Sequence, residues 1–386
     1  MQVSQRVQNI SASQSLVMAA RAKSMKEAGI DVISMSLGEP DMNTPAHIRL
    51  AAQEAVDGGW SHYGPVPGIP SLRAAVAAQQ NIAPGNKIHW EAEDVIVSVG
   101  AKMVIYNAIQ TVINPGDEVI IPMPSWVSYS EMVKLAEGKV VPVQTSFEDN
   151  YCLTGAQLRA ALNSRTRMVI LCTPNNPTGS VYSAAQMEEL VAILREYPDV
   201  YILADEIYSC LTYGTEAYTF GAFSDLAERL IIINGVSKAY AMTGYRIGWL
   251  LAKNKTFISG CIRLQGQQLT CATMVAQKAA EAALTGSQDC VEEMRNVFAE
   301  RRELICQWAA QIPGWRFNPP QGAFYLFPDV SALGTGDEVA EKILEQAHVA
   351  VVSGSAFGCP ECIRLSYAIS TQEVVEAMKR IKALKF

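Results

Sequence analysis

Between residues 95 and 252 the chain alternates short, nearly continuous apolar runs with stretches whose apolar residues recur at helical spacing. The runs are 95–99, 118–122, 140–144, 168–173, 200–204, 230–234 and 247–252. A strand that is apolar at almost every position must be covered on both faces, the condition of a parallel sheet between layers of helices. Helical patterns at 102–113 and 184–195 lie between such runs, and Asn114-Pro115-Gly116-Asp117 marks a turn. The expectation is an α/β fold whose mostly parallel, seven-stranded sheet is flanked by helices.

After about residue 285 the rhythm changes. A long helical stretch at 287–310 precedes strand-like runs at 323–327, 349–352 and 363–367, a helical pattern at 337–347 and a last helix from Thr371. This predicts a small α+β unit, with an amphipathic helix at 15–28 packed on it. The expected division is a large domain at 46–285 and a small domain from 1–45 with 286–386, the site lying in the cleft between them. A 386-residue chain that is 49% hydrophobic can fill cores of that size.

The net charge of −7 is spread over interspersed acidic and basic residues without a basic stripe, which argues against nucleic acid as a partner. No run reaches the ~18–20 apolar residues of a membrane span, and the first residues lack an apolar signal core, so a cytoplasmic protein is expected. Of nine cysteines, Cys152, Cys172, Cys210 and Cys271 sit in apolar or small-residue surroundings and read as reduced core residues. Cys359-Pro360-Glu361-Cys362 matches C-x-x-C but has no second pair and no nearby histidine, so no metal site is expected. An ordinary loop is the first reading of that motif and a redox pair the second.

The segment from Gly235 to Trp249, GVSKAYAMTGYRIGW, places one lysine, Lys238, among small, aromatic and apolar residues. Burial disfavours an ammonium and leaves a neutral amine able to condense with an aldehyde. Ser237 and Arg246 are donors suited to a phosphate, and an aldehyde carrying a phosphate suggests pyridoxal phosphate (PLP). The alternative is a lysine closing a strand with its amine in water.

Other residues fit the same chemistry. Asp205 ends an apolar run and can pair with a pyridine nitrogen, or else cap the next helix. Tyr208 and Asn176 can donate to a ring oxygen, although Asn175-Asn176-Pro177-Thr178-Gly179 alone is only a turn. Gly100 and Ala101 open a helix where backbone N–H groups can meet a phosphate. Trp126 can stack on a ring or belong to the core. Arg364, alone in an apolar run, needs an anionic partner: a substrate carboxylate or a structural Asp or Glu.

Taken in order, Gly38-Glu39-Pro40-Asp41, Tyr63 with Pro67-Gly68, Gly100-Ala101-Lys102, Asn175–Gly179, Asp205–Tyr208, Ser237-Lys238 through Arg246, and Arg364 resemble the class I aminotransferases over essentially the whole chain. These are PLP-dependent enzymes of fold type I. Stretches such as YGPVPGIPSLR, VSYSEMV and KAYAMTGYRIGW are similar to the bacterial aspartate aminotransferases of subgroup Ib.

The resemblance implies that Lys238 tethers PLP, Asp205 faces the pyridinium, Tyr208 and Asn176 bind the ring oxygen, and Trp126 stacks on the ring. It places Gly100, Ala101, Ser237 and Arg246 at the phosphate, with Tyr63 reaching the phosphate of a neighbouring subunit in a homodimer. Arg364 would take the substrate's α-carboxylate, the Gly38 backbone would touch substrate, and Lys102 with Ser15 would take a distal carboxylate. Lys102 has the alternative of merely neutralising the phosphate. Ser125 departs from the aromatic residue often found there, which leaves the pocket's width open.

The implied activity is ping-pong transfer of an amino group from an L-amino acid, aspartate first, to 2-oxoglutarate. Prephenate, aromatic or alanine-type substrates and a C–S lyase are the alternatives. A PLP-fold transcription regulator needs a DNA-binding module ahead of that domain, for which this sequence is expected to have no room.

Overall fold

The apolar runs of the middle of the chain become one sheet. The computed structural model describes residues 3–386. Ahead of the sheet lies a two-residue strand, β1 (Ile33–Ser34). The sheet consists of β2 (Val95–Val99), β3 (Glu118–Met123), β4 (Lys139–Gln144), β5 (Thr166–Cys172), β6 (Tyr201–Asp205), β7 (Leu230–Gly235) and β8 (Ile247–Leu251), in spatial order β2-β8-β7-β6-β5-β3-β4. Neighbouring pairs are parallel except that β8 runs antiparallel to both β2 and β7.

Period-two alternation divides the strand residues between two cores. Val97, Ile120, Leu171, Ile202 and Ile232 pack on one face with Leu72, Val76 and Leu190. Ile96, Ile121, Ile170, Leu203 and Ile233 pack on the other with Val104, Ile105 and Phe257. Each fully buried side chain of this kind contributes about 1.5–3 kcal/mol to stability. The turn at Asn114–Asp117 forms as expected, the Asn114 N–H donating to the Asp117 carboxylate at 2.8 Å while Gly116 takes φ +88°.

The C-terminal region adds β9 (Tyr325–Leu326), β10 (Val349–Ala350), β11 (Val352–Ser353) and β12 (Ile363–Ser366), with β12 antiparallel between β11 and β9. Strand β1 pairs parallel with β10, which stitches the N-terminal segment into this unit. Ile33 and Met35 join residues from Met294 to Ile381 in a third core.

Several expectations are corrected here. The strand expected at 323–327 shortens to Tyr325–Leu326, because Ala323 takes φ +57° and its N–H turns to Leu211 O. The run at 349–352 divides into two strands that pair with different partners. The helix expected at 337–347 is α-helical over Gly336–Lys342 and finishes in a π-helical turn, Ile343–Ala347. The N-terminal helix spans Gln14–Glu27 and packs on this unit as expected, Met18, Ala22 and Met25 meeting Val32, Leu344 and Ala350, but only Ala22 is fully buried and Leu16 and Val17 stay exposed, so its apolar stripe is narrow. Cys152 and Cys172 are core residues as expected, but Cys210 is exposed and Cys271 only half-buried. No helix among the described residues is long and apolar enough to cross a membrane.

Candidate active site

Strand direction brings the predicted residues together. All strands except β8 point the same way, so Gly100 after β2, Asn175 and Asn176 after β5, Asp205 at the end of β6 and Lys238 after β7 gather at one edge of the sheet. Because β8 runs the other way, its beginning lies at that edge, and Arg246 immediately precedes it. Ligand sites of open parallel sheets form at this edge.

Gly100 has φ +80°, and a Cβ on it would come 2.4 Å from Arg246 Nη2. Gly248, on β8, pairs with Ser98 and Gly235 on either side, and a Cβ there would stand 2.2 Å from the Ala101 nitrogen. The turn into the helix Ala101–Val112 can therefore lie directly on the sheet, with its positive end beside Arg246 and the buried Ser237. Arg246, itself at φ +56°, donates from Nη1 to Thr243 O at 2.8 Å. These donors suit a phosphate.

Asp205 is 3% exposed, and its Oδ2 accepts from the Tyr129 hydroxyl at 2.6 Å. Its Oδ1 accepts from the Ile207 N–H at 3.2 Å, so it closes a turn rather than capping a helix. Burial pushes this carboxyl up to about 6, against the pull of the Tyr129 hydrogen bond. Tyr208 shares a 2.8 Å hydrogen bond with the Tyr325 hydroxyl, and burial holds its phenol well above the ordinary value, so it remains a donor.

Lys238 sits on the helical turn Val236–Ala239 and donates from Nζ to Gly38 O at 2.5 Å. Burial lowers its ammonium to about 8, with Glu39 opposing that shift and Arg246 adding to it. Roughly a tenth is then a neutral amine at pH 7. Its amine faces the cleft, not bulk water as the alternative reading had it.

Arg364, 2% exposed on β12, makes no ion pair among the described residues. Its Nη1 donates to Asn176 Oδ1 at 2.9 Å, and its Nη2 to Ser36 O at 2.6 Å and Ser15 Oγ at 3.3 Å. Its buried Nε has no hydrogen-bond partner. The rings of Tyr325 and Phe357 lie 4.6 and 4.8 Å from its guanidinium carbon. A buried guanidinium without a carboxylate is poised for an anion from outside. Since Asn176 meets it through Oδ1, the NH2 end of that amide is the end available to a ligand.

A cavity of about 350 Å³ is lined by Gly38, Trp126, Asn176, Asp205, Lys238 and Arg364, together with Ala101, Lys102, Tyr208, Ser237, Arg246 and Ser15. Lys102 Nζ lies 4.9 Å from the Trp126 ring centroid, and Ser15 reaches Arg364. Tyr63 stands apart at 88% exposure. The cavity's cations, Lys102, Lys238, Arg246 and Arg364, outnumber Asp205 and Glu39, so it selects anions. No cluster of three or more metal-ligating side chains occurs among the described residues.

Sequence reasoning missed Tyr129, Tyr325 and Gly248. Tyr129 follows Trp126 by three residues, one helical turn, and the two rings meet edge to face at 5.3 Å; that spacing was the available signal. Tyr325 closes over Gly38, where a Cβ would stand 2.0 Å from its hydroxyl. The GEPD motif proves partly architectural: Asp41 accepts two hydrogen bonds, at 2.6 and 2.9 Å, from the buried Arg301 of the helix Asp289–Ala309.

Comparison with known proteins accords with this geometry. The sequence profile of the family described as aminotransferase class I and II matches residues 30–381. An aspartate aminotransferase of Bacillus sp. (strain YM-2) is 43% identical, with 97% of each chain covered. The aspartate/prephenate aminotransferase of Nitrosomonas europaea is 39% identical over the whole of both chains. The structure of an aspartate aminotransferase from Rhizobium meliloti matches with a TM-score of 0.95 at 38% identity, covering 99% of this chain and 98% of that one. One from Thermus thermophilus with maleate matches at 0.93 and 36% identity, with 98% of each chain covered.

The chain belongs to the class I and II aminotransferase family. It is an aminotransferase, and enzymes of this family work with PLP. The cavity fits that coenzyme: a half-buried lysine with a lowered pKa, a buried carboxylate for the ring nitrogen, and a glycine turn against Arg246 that any side chain would fill.

Proposed function

We propose that the protein transfers the amino group of L-aspartate to 2-oxoglutarate by a ping-pong mechanism, with PLP tethered at Lys238. The observation that carries this reading is the presence of Lys238, Asp205 and an Arg364 without a carboxylate partner in one cavity. The bound coenzyme supplies an electron sink for the charge left at the amino acid's Cα. Asp205 would hold the proton on the ring nitrogen, while Tyr208 and Asn176 donate to the ring oxygen. Gly100, Ala101, Ser237 and Arg246 would hold the phosphate, and Trp126 would cover a ring face.

Arg364 clamps the α-carboxylate and so fixes which bond of Cα is broken. The Lys238 amine would act as base and then acid, taking the proton from the substrate's Cα and giving it back. Its lowered pKa suits both tasks. Tyr208 and Tyr325, both protonated, complete the wall near Gly38.

Lys102 is the cation for a distal carboxylate, with Ser15 beside Arg364. The Thermus thermophilus neighbour with maleate, a dicarboxylate, supports that preference. The Nitrosomonas europaea relative, named for aspartate and prephenate, supports a second acceptor that is also a dicarboxylate. The exposed Tyr63 and Arg246 support a homodimer in which Tyr63 of a second copy reaches the phosphate site. We read the chain as a large unit, 46–285, and a small unit from 1–45 and 286–386; the separate core joining Ile33 and Met35 to residues beyond Met294 supports that division.

A half-reaction screen tests the proposal. Aspartate and glutamate added to PLP-loaded protein should convert the coenzyme absorbance to the amine form, at least about tenfold faster than alanine or tyrosine. Equal rates with alanine would remove the role of Lys102, and pyruvate from cysteine without an acceptor would point to a lyase.

A further inference from the structure

The Cys359-Pro360-Glu361-Cys362 motif lies outside the cavity, yet it is tied to the wall behind Arg364. Cys359 and Cys362 are 5% and 0% exposed, and their sulfurs stand 3.2 Å apart. The Cys362 N–H donates to Cys359 O at 3.1 Å, closing the turn that holds the pair together. Around them pack Tyr151, Phe327, Val352 and Phe357. A disulfide bond is about 2.05 Å long, so closing this pair needs about 1 Å of movement.

We propose that Cys359 and Cys362 form a dithiol site that a peroxide converts to an intrachain disulfide, and that this closure loosens the hold of Arg364 on the substrate carboxylate. The second half rests on the reading of Arg364 given above; the first half does not. The movement has a path to the site. Gly354 N–H donates to Cys362 O at 2.7 Å, and Cys359 N–H donates to Gly354 O at 3.0 Å, so the loop that follows Gly354 is laced to both cysteines. A Cβ on Gly354 would stand 2.1 Å from Cys359 O, so this packing has no slack to absorb a shift. That loop carries Phe357, whose ring lies 4.8 Å from the Arg364 guanidinium and whose carbonyl accepts from Ser125 N–H at 3.0 Å, next to Trp126. Arg364 itself follows Cys362 by two residues.

The reaction balances with a peroxide as oxidant. One thiolate attacks a peroxide oxygen, the O–O bond breaks, and hydroxide leaves and takes up a proton, giving a sulfenic acid. The second sulfur then displaces that oxygen as water. Two thiols and one peroxide yield one disulfide and two waters. The hydrogen bond to Cys362, and then burial, hold the Cys359 thiol far above its ordinary pKa. The thiolate is therefore scarce near neutrality, and the reaction should accelerate toward alkaline pH.

The test uses full-length, PLP-loaded protein treated with about one equivalent of hydrogen peroxide, then denatured in iodoacetamide and mapped by peptide mass. The peptide spanning Cys359 and Cys362 should escape alkylation and weigh about 2 Da less than the dithiol, reversibly on reduction, while Cys152 and Cys172 are alkylated. The KM for aspartate should rise about three- to tenfold with kcat within about twofold, and neither should respond to peroxide in Cys359→Ser or, if that fails to fold, Cys359→Ala. Alkylation of both cysteines after peroxide, or sulfinic acid in place of the disulfide, overturns the site. A disulfide without a change in KM overturns the link to Arg364. Failure of every amino acid to transaminate overturns the proposed function, and the peptide map still reads the dithiol.

Discussion

Asp205, Ser237 and Lys238 stand at the ends of strands packed on both faces, whereas Ser15, Gly38 and Lys102 belong to segments at the cleft's open rim. The floor of the cavity has its chemistry set by burial, which raises the Asp205 carboxyl and lowers the Lys238 ammonium. The rim presents half-buried or solvent-facing groups, and in the proposed function it sets which molecule enters. Arg364 sides with the floor: it comes from β12, outside the seven-stranded sheet, yet is as buried as Asp205. Substitutions in the floor should therefore strike turnover, and those at the rim should strike selectivity.

The largest effect is expected at Lys238. Lys238→Ala should retain PLP by absorbance yet lose turnover by about 10⁴-fold, since both proton transfers go with the amine. Arg364→Met should follow, with kcat/KM for aspartate down about 10²-fold or more, because the buried Asn176 Oδ1 and Ser36 O also lose their donor. Tyr129→Phe removes the hydroxyl that holds Asp205, a hydrogen bond to a charged group worth about 1.5–3 kcal/mol. It should lower kcat about tenfold or more with little change in KM. An equal loss at the rim would erase the distinction. Lys102→Gln should raise KM for aspartate about tenfold while leaving alanine almost unaffected.

The smallest effect is one of pH. Folding lowers the Lys238 pKa from its usual 10.5 to about 8, so the unfolded chain holds the extra proton between those values. Stability of coenzyme-free protein should then rise with pH across that window, and Lys238→Met should flatten the rise in denaturant titrations.

The floor was legible because its residues follow apolar runs closely: Gly100 and Asp205 come directly after one, and Lys238 lies four residues past the run at 230–234. The seven strands were legible for the same reason, since burial on both faces leaves a local trace. Tyr129 and Tyr325 were not, because their partners Asp205 and Tyr208 lie 76 and 117 residues away. Gly248 was quoted in a motif without a role, since the need for it arises from the Gly100-Ala101 turn on the neighbouring strand. The C-terminal strands were blurred because they are two to four residues long and change partners at Val351.

Covalent trapping tests the tether at the centre of the floor. Reduce PLP-loaded protein with borohydride, digest it, and map the pyridoxyl label. The label is expected on Lys238 alone; a label on Lys102 or any other lysine, or no label at all, would contradict the assignment.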